Sequence, residues 1–226
     1  MSFQDLVAEL ENSAEATLGI KMDPYSEGFC CPWIHLLLPH MQLNAIAGVL
    51  IMQDWGTQDA DPNNKSTEPS DSINQDIDYL RRQTFPKDKT CSHLFNSGWR
   101  SVIWEKPGSW LVTNAVWGRR KKGAEMCGYL GASTHKLAYP IWRKLLLEVA
   151  KYNKNLQVVF AGSWARFENP KQNTAQLSDY LQNWDNWVVP KDTPNLLTLE
   201  GKAYFSHHPS TWSPSTLYNG AQGPPP

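Results

Sequence analysis

Three polar side chains stand where apolar runs stop: Asp54 after "IAGVLIMQ", Asn114 after "SWLVT" and His208 after "KAYFSH". A carboxylate can stabilise a cation and orient a water, an amide can read a hydrogen-bonding edge, and an imidazole can donate to a developing anion. Singly, each has an ordinary explanation: the Asp as a turn or helix cap, the Asn as a turn residue, the His beside Pro209 as a surface residue. Jointly they say more. In an open parallel sheet the carboxyl ends of the strands line one crevice, so three strands would deliver the three groups to one place. Just beyond Asn114 comes "RRKK", residues Arg119, Arg120, Lys121 and Lys122, either a phosphate-holding loop or an ordinary solvated one.

The elements that must position these groups follow from periodicity. Phe3, Leu6, Val7 and Leu10 recur at helical spacing, with Ser2 and Asp5 suited to cap the helix start. "IAGVLIMQDWG" (46–56) and "SWLVTNAVW" (109–117) have the character of strands buried on both faces. Between them, "TQDADPNNKSTEPSDS" (57–72) is too polar for anything but a loop, and Ile73, Ile77 and Leu80 space a helix after it. "LAYPIWRKLLLEVAKYN" predicts a helix with Pro140 near its first turn, and "LQVVFAGSWA" a strand turning into the next helix. A further helix is expected around 175–184, and a last strand ends near His208. Strands alternating with helices predict a three-layer αβα fold of the α/β class, around a central, largely parallel four-stranded sheet. One domain is expected over 1–216, with a disordered tail at 217–226.

Composition sets the limits. With 226 residues and a formal net charge of −1, the chain can bury one large core, and any nucleic-acid affinity must come from a local basic patch. No basic segment precedes an apolar core at the N-terminus, and no apolar run approaches the roughly 20 residues that cross a membrane, so a soluble cytoplasmic protein is expected. Cys30, Cys31, Cys91 and Cys127 form no C-x-x-C pair, which favours reduced, mostly buried thiols over a metal site. The histidines His35, His40, His93 and His135 have no metal-ligand spacing, and His207 and His208 are adjacent. No metal and no cofactor are expected.

At these residues the chain resembles the uracil-DNA glycosylase superfamily. "MQDWG" (52–56) looks like its first motif, G-Q-D-P-Y in the best-known branch and ending in P-G in others. "LVTNAVWGRR" resembles the strand-end T-N-x-x-x-x-R-P of the iron–sulfur branches, and "HHPST" (207–211) the closing H-P-S. Motif order and rough spacing match from about Ala45 to Trp212.

The resemblance implies a base flipped out of DNA, at a cost of a few kcal/mol, into a pocket that reads its exposed edge. Asn114 would pair with O4 and N3–H of uracil, or with a cytosine-like edge if its amide is turned round. Asp54 would stabilise the oxocarbenium-like sugar and orient the attacking water, while His208, neutral, would donate to the base O2. Gln53, Trp55 and Gly56 of the first motif would line the base. Ser210 with the turn's backbone amides would hold phosphates beside Arg119, Arg120 and Lys121. Trp212 falls where the family places an apolar wedge, and either stacks in the hole left by the base or belongs to the core.

Departures from the family pattern bear on the substrate. Gly56 stands where the strict uracil enzymes carry a Tyr that blocks substituents at pyrimidine C5, so a roomier pocket is expected. No aromatic occurs from Thr57 to Asp78 to stack on the base, leaving Trp55, Tyr79 or Phe85. Trp117, Gly118 or Arg119 occupies the place of the cysteine that follows T-N in cluster-bearing branches, so no iron–sulfur cluster is expected. The expectation is a monofunctional, monomeric DNA glycosylase acting on uracil or a C5-modified pyrimidine such as some bacterial viruses carry, in repair or antiviral defence. The alternatives are a non-catalytic DNA-binding module sensing unusual bases and an unrelated α/β small-molecule hydrolase.

Overall fold

A computed structural model describes residues 2–18, 31–53, 73–82, 88–117, 132–162, 173–188, 199–212 and 223–225. Among them, Gly48–Met52 (β1), Trp110–Asn114 (β2), Gln157–Ala161 (β3), Thr174–Gln176 (β4) and Lys202–Ser206 (β5) form one sheet in the order β2-β1-β3-β5-β4. Four strands run parallel, and β4 pairs antiparallel with β5 at the edge. The sheet therefore has five strands rather than the four expected. "Thr-Ala-Gln" is too short and too polar to announce a strand, and its partner β5 rather than its own sequence makes it one.

Strands β1 and β2 behave as their composition requires. "GVLIM" and "WLVTN" are buried at every position, which only a strand covered on both faces allows. Their register sets Gly48 against Trp110 and Met52 against Asn114. Gly48 is required by that pairing: a Cβ there would come within 2.3 Å of the Trp110 ring.

Six helices are described: Phe3–Leu18 (α1), Pro32–Leu37 (α2), Ile73–Arg81 (α3), Lys89–Phe95 (α4), Ala132–Ala150 (α5) and Leu177–Val188 (α6). Helix α1 starts as its sequence indicates, with Ser2 and Asp5 each accepting the other's backbone N–H at 3.0 Å. Its Phe3, Leu6, Val7 and Leu10 are buried, and it packs on α5. Helix α5 begins eight residues before Pro140, so the proline lies inside the helix and not near its first turn. The polar start "ASTHK" hid that extension, and the missing N–H of Pro140 is absorbed within the helix. Arg143 of α5 pairs with Asp185 of α6 through Nε and Nη2, at 2.7 and 2.9 Å, and Tyr139 donates to the same carboxylate. On another flank α2 packs against β2 and α3, and Trp104 links Trp33 of α2 to Phe95 of α4 by edge-to-face contacts.

Most of the 217–226 segment lies outside the described residues, which here are 223–225. Gly223 lies against Gly98 and Pro225 is buried, two facing glycines letting the backbones approach. No helix among the described residues is long and apolar enough to cross a membrane.

Candidate functional site

The strand order makes β1 a switch point. The chain leaves β1 for β2 on one side and later for β3 on the other, which opens a crevice beyond its carboxyl end. Gln53 sits at that place. Its carbonyl accepts the N–H of Val116 at 3.0 Å, so β1 and β2 stay joined past their formal ends. Its side chain lies over Gly162, which follows β3 with a φ of 101°. A Cβ at Gly162 would come within 2.7 Å of Gln53 Oε1, and its N–H donates to Ser206 O of β5 at 2.9 Å. The ends of all four parallel strands are thereby knitted into one floor.

Asn114 is the unusual member of this floor. It is 0% exposed, and among the described residues neither its Oδ1 nor its Nδ2 has a hydrogen-bond partner. A buried polar group left unsatisfied costs about 1–3 kcal/mol, and the two ends of this amide could meet an edge with one donor and one acceptor. Nearby in sequence, Trp117 is also buried with its indole N–H unmet. Thr113 points to the opposite face, where its hydroxyl meets the Cys31 thiol at 3.9 Å.

His208 opens the 3₁₀ turn Pro209–Thr211 that follows β5. The backbone N–H of Ser210 donates to His208 Nδ1 at 3.3 Å, and Ser210 Oγ stands 2.9 Å from the same nitrogen. A backbone N–H can only donate, so Nδ1 is the acceptor and the neutral ring carries its proton on Nε2. This is the form that can donate to an anion without itself being charged. Asn114 and His208 belong to the outer two of the four parallel strands, about 14 Å apart at backbone level for three spacings of ~4.8 Å. Helix α4 bridges that gap from the side: it contacts Trp104, which touches α2 and so the β2 flank, and it packs on the turn after β5.

Trp212 belongs to the core here. It is buried, and its indole N–H lies 2.7 Å from His207 O and 3.1 Å from Ser206 Oγ, which tie the ring back to the end of β5. A wedge role would require breaking those bonds. Tyr79, one of three aromatics available for stacking, is half-buried on α3 beside Asp88 and Cys91, and burial foremost pushes its hydroxyl above its ordinary range. Asp54, Trp55, Gly56, Phe85, Arg119, Arg120, Lys121, Lys122 and the 57–72 loop lie outside the described residues. Cys31 and Cys91 are buried free thiols, and among the described residues no group of three or more His, Cys, Asp or Glu could hold a metal ion.

Two contributors escaped the sequence. Gly162 shapes the floor under Gln53, and the only local sign was a glycine closing the run "VVFA". His93 of α4 donates from Nδ1 to Pro209 O at 2.5 Å, a contact spanning 116 positions that no local pattern reports. No protein-family model, curated protein or solved structure matches this chain.

Proposed function

We propose that the protein is a monofunctional DNA glycosylase of the uracil-DNA glycosylase type, excising uracil or a C5-modified pyrimidine from DNA. The observation that carries this reading is the Asn114 amide, fully buried with donor and acceptor both unmet, one register step from Gln53 and thus from the motif that continues to Asp54. An unsatisfied amide has little structural use, whereas a pyrimidine edge presents the complementary pair.

The chemistry assigns each group a step. Asn114 holds the base, and the C1′–N1 bond breaks with its electron pair going to the base. The Nε2–H of His208 hydrogen-bonds the developing charge at O2, and the Asp54 carboxylate stabilises the sugar cation and orients the water that bonds to C1′. That water's proton passes to solvent, and the departing base anion takes one up from solvent, leaving an abasic sugar and the neutral free base. Ser210 and the basic loop at 119–122 hold the phosphates. In the same reading the helices form one layer on each face of the sheet, and the protein acts as a cytoplasmic monomer on DNA. Gly56 in place of a bulky aromatic favours a C5-substituted base, which points to modified viral DNA and a defence role.

An abasic-site assay tests the reading. Oligonucleotides carrying uracil, thymine, 5-hydroxymethylcytosine or glucosylated cytosine are incubated with the protein and cleaved with alkali. Scission on a C5-modified base supports the whole reading, and scission on uracil alone removes the enlarged pocket. No scission on any substrate overturns the glycosylase.

A further inference from the structure

His93 and His208 are joined through a single peptide group. His93 Nδ1 lies 2.5 Å from the Pro209 carbonyl oxygen, and the N–H of that same amide, on Ser210, lies 3.3 Å from His208 Nδ1. A carbonyl oxygen can only accept, so His93 carries its proton on Nδ1. The order of donation is therefore fixed: His93 Nδ1–H to O=C of Pro209, then N–H of Ser210 to Nδ1 of His208.

Amide resonance couples the two ends. Donation to the carbonyl oxygen draws electron density from the amide nitrogen and makes its N–H a stronger donor, the cooperative strengthening seen in hydrogen-bond chains. The proton of His208 is held on Nε2 by that donor, because a proton on Nδ1 would face the Ser210 N–H directly. The Pro209 carbonyl also accepts from the N–H of Trp212 at 3.2 Å, which closes the turn and fixes the plane of the peptide. The support behind His93 is firm: the Asp88 carboxylate caps α4 by accepting the Cys91 N–H at 3.0 Å, and α4 packs along the turn.

We infer that His93 is a positioning residue for His208, acting through the Pro209–Ser210 peptide to hold the second imidazole with its proton on Nε2. What His208 does with that proton rests on the proposed glycosylase function; how the proton is held does not. A second histidine on a neighbouring helix thus prepares an uncharged Nε2–H donor, the form that the proposed glycosylase step would use.

The test is a nitrogen-15 spectrum of the histidine rings in the DNA-free protein, at one pH at which both imidazoles are neutral. The wild type should show His93 as the Nδ1–H tautomer and His208 as Nε2–H. In His93→Leu the Nε2–H to Nδ1–H ratio of His208 should fall by roughly 1.2- to 1.7-fold, because the Ser210 N–H bond to Nδ1 remains and loses only cooperative strengthening of roughly 10–30%. His93→Asn, whose amide N–H reaches the same carbonyl, should restore the wild-type ratio. A structural role alone would leave the His208 ratio unmoved in a folded His93→Leu protein, and that result overturns the inference. So does a wild-type spectrum with the His93 proton on Nε2, a measurement that needs no variant to fold. Excision has no part in the readout. A failed abasic-site assay would remove the glycosylase reading and leave this relay standing, and an unresponsive His208 would do the reverse.

Discussion

The side chain of Gln53 lies across the bare Cα of Gly162, joining the ends of β1 and β3 where the sheet reverses its strand order. The contact needs a residue without a Cβ, and the φ of 101° at Gly162 needs the same. Gly162→Ala should therefore displace Gln53 and strain the backbone together, destabilising the fold by about 1–3 kcal/mol. Chemical denaturation measures the loss. A variant as stable as the wild type would show that the Gln53 side chain moves aside freely.

Asn114 should separate stability from function. Asn114→Leu replaces an unmet amide with an apolar side chain of similar size, and the free protein should gain about 1 kcal/mol or more in thermal unfolding. Excision should fall by about 10²-fold or further, because the base edge loses its partner. A loss of stability would mean that the amide is satisfied in solution and is no waiting recognition element.

Asp54 decides between an enzyme and a sensor. Asp54→Asn should lower excision by about 10²–10⁴-fold while leaving DNA affinity equal or slightly higher, since a carboxylate near phosphates repels them. The comparison needs single-turnover rates and a binding isotherm at one stated salt concentration. A protein that only senses bases would bind as before and show no turnover in either form.

The thiol of Cys31 gives the fold an alkaline limit. Burial, the largest influence, pushes it from 9.0 up to about 11, and the Cys91 thiol is raised in the same direction. A raised pKa stabilises the fold fully below the unfolded value, and that contribution disappears as the pH climbs through the folded one. Stability should thus decline between pH 9 and 11, and Cys31→Val should flatten that decline. Near pH 8 both thiols should react with iodoacetamide only at the rate of unfolding, so rapid alkylation of the native protein would contradict their burial.

Much of the frame is legible in the residues. The runs ending at Met52 and Asn114 are apolar because both faces of those strands are covered, and the capping pair Ser2 and Asp5 marks the start of α1. What stayed hidden depends on partners remote in sequence. Thr174–Gln176 becomes a strand only because β5 lies beside it, and α5 extends before Leu137 through residues with no apolar stripe. The same holds at the site. Asn114 is visible as a strand-end amide, but its lack of a hydrogen-bond partner among the described residues is a property of the packed molecule. Trp212 is legible as an aromatic just after "HHPST", and only the folded chain shows its ring turned inward to the end of β5. His93 has no metal-ligand spacing in the sequence, and its bond to a carbonyl 116 positions away exists only in the fold.

The three residues of β4 bear on how copies of the protein meet one another. A sheet edge with a long row of free N–H and C=O groups is a template for another chain, and pairing there would build fibres. Thr174–Gln176 ends the sheet with too few such groups for a second molecule to zip onto, and it runs opposite to its neighbour, so a further strand finds no extended parallel register to continue. Helix α2 packs on β2, the strand at the other end of the order. Among the described residues, growth of the sheet strand by strand from the β4 edge is therefore disfavoured.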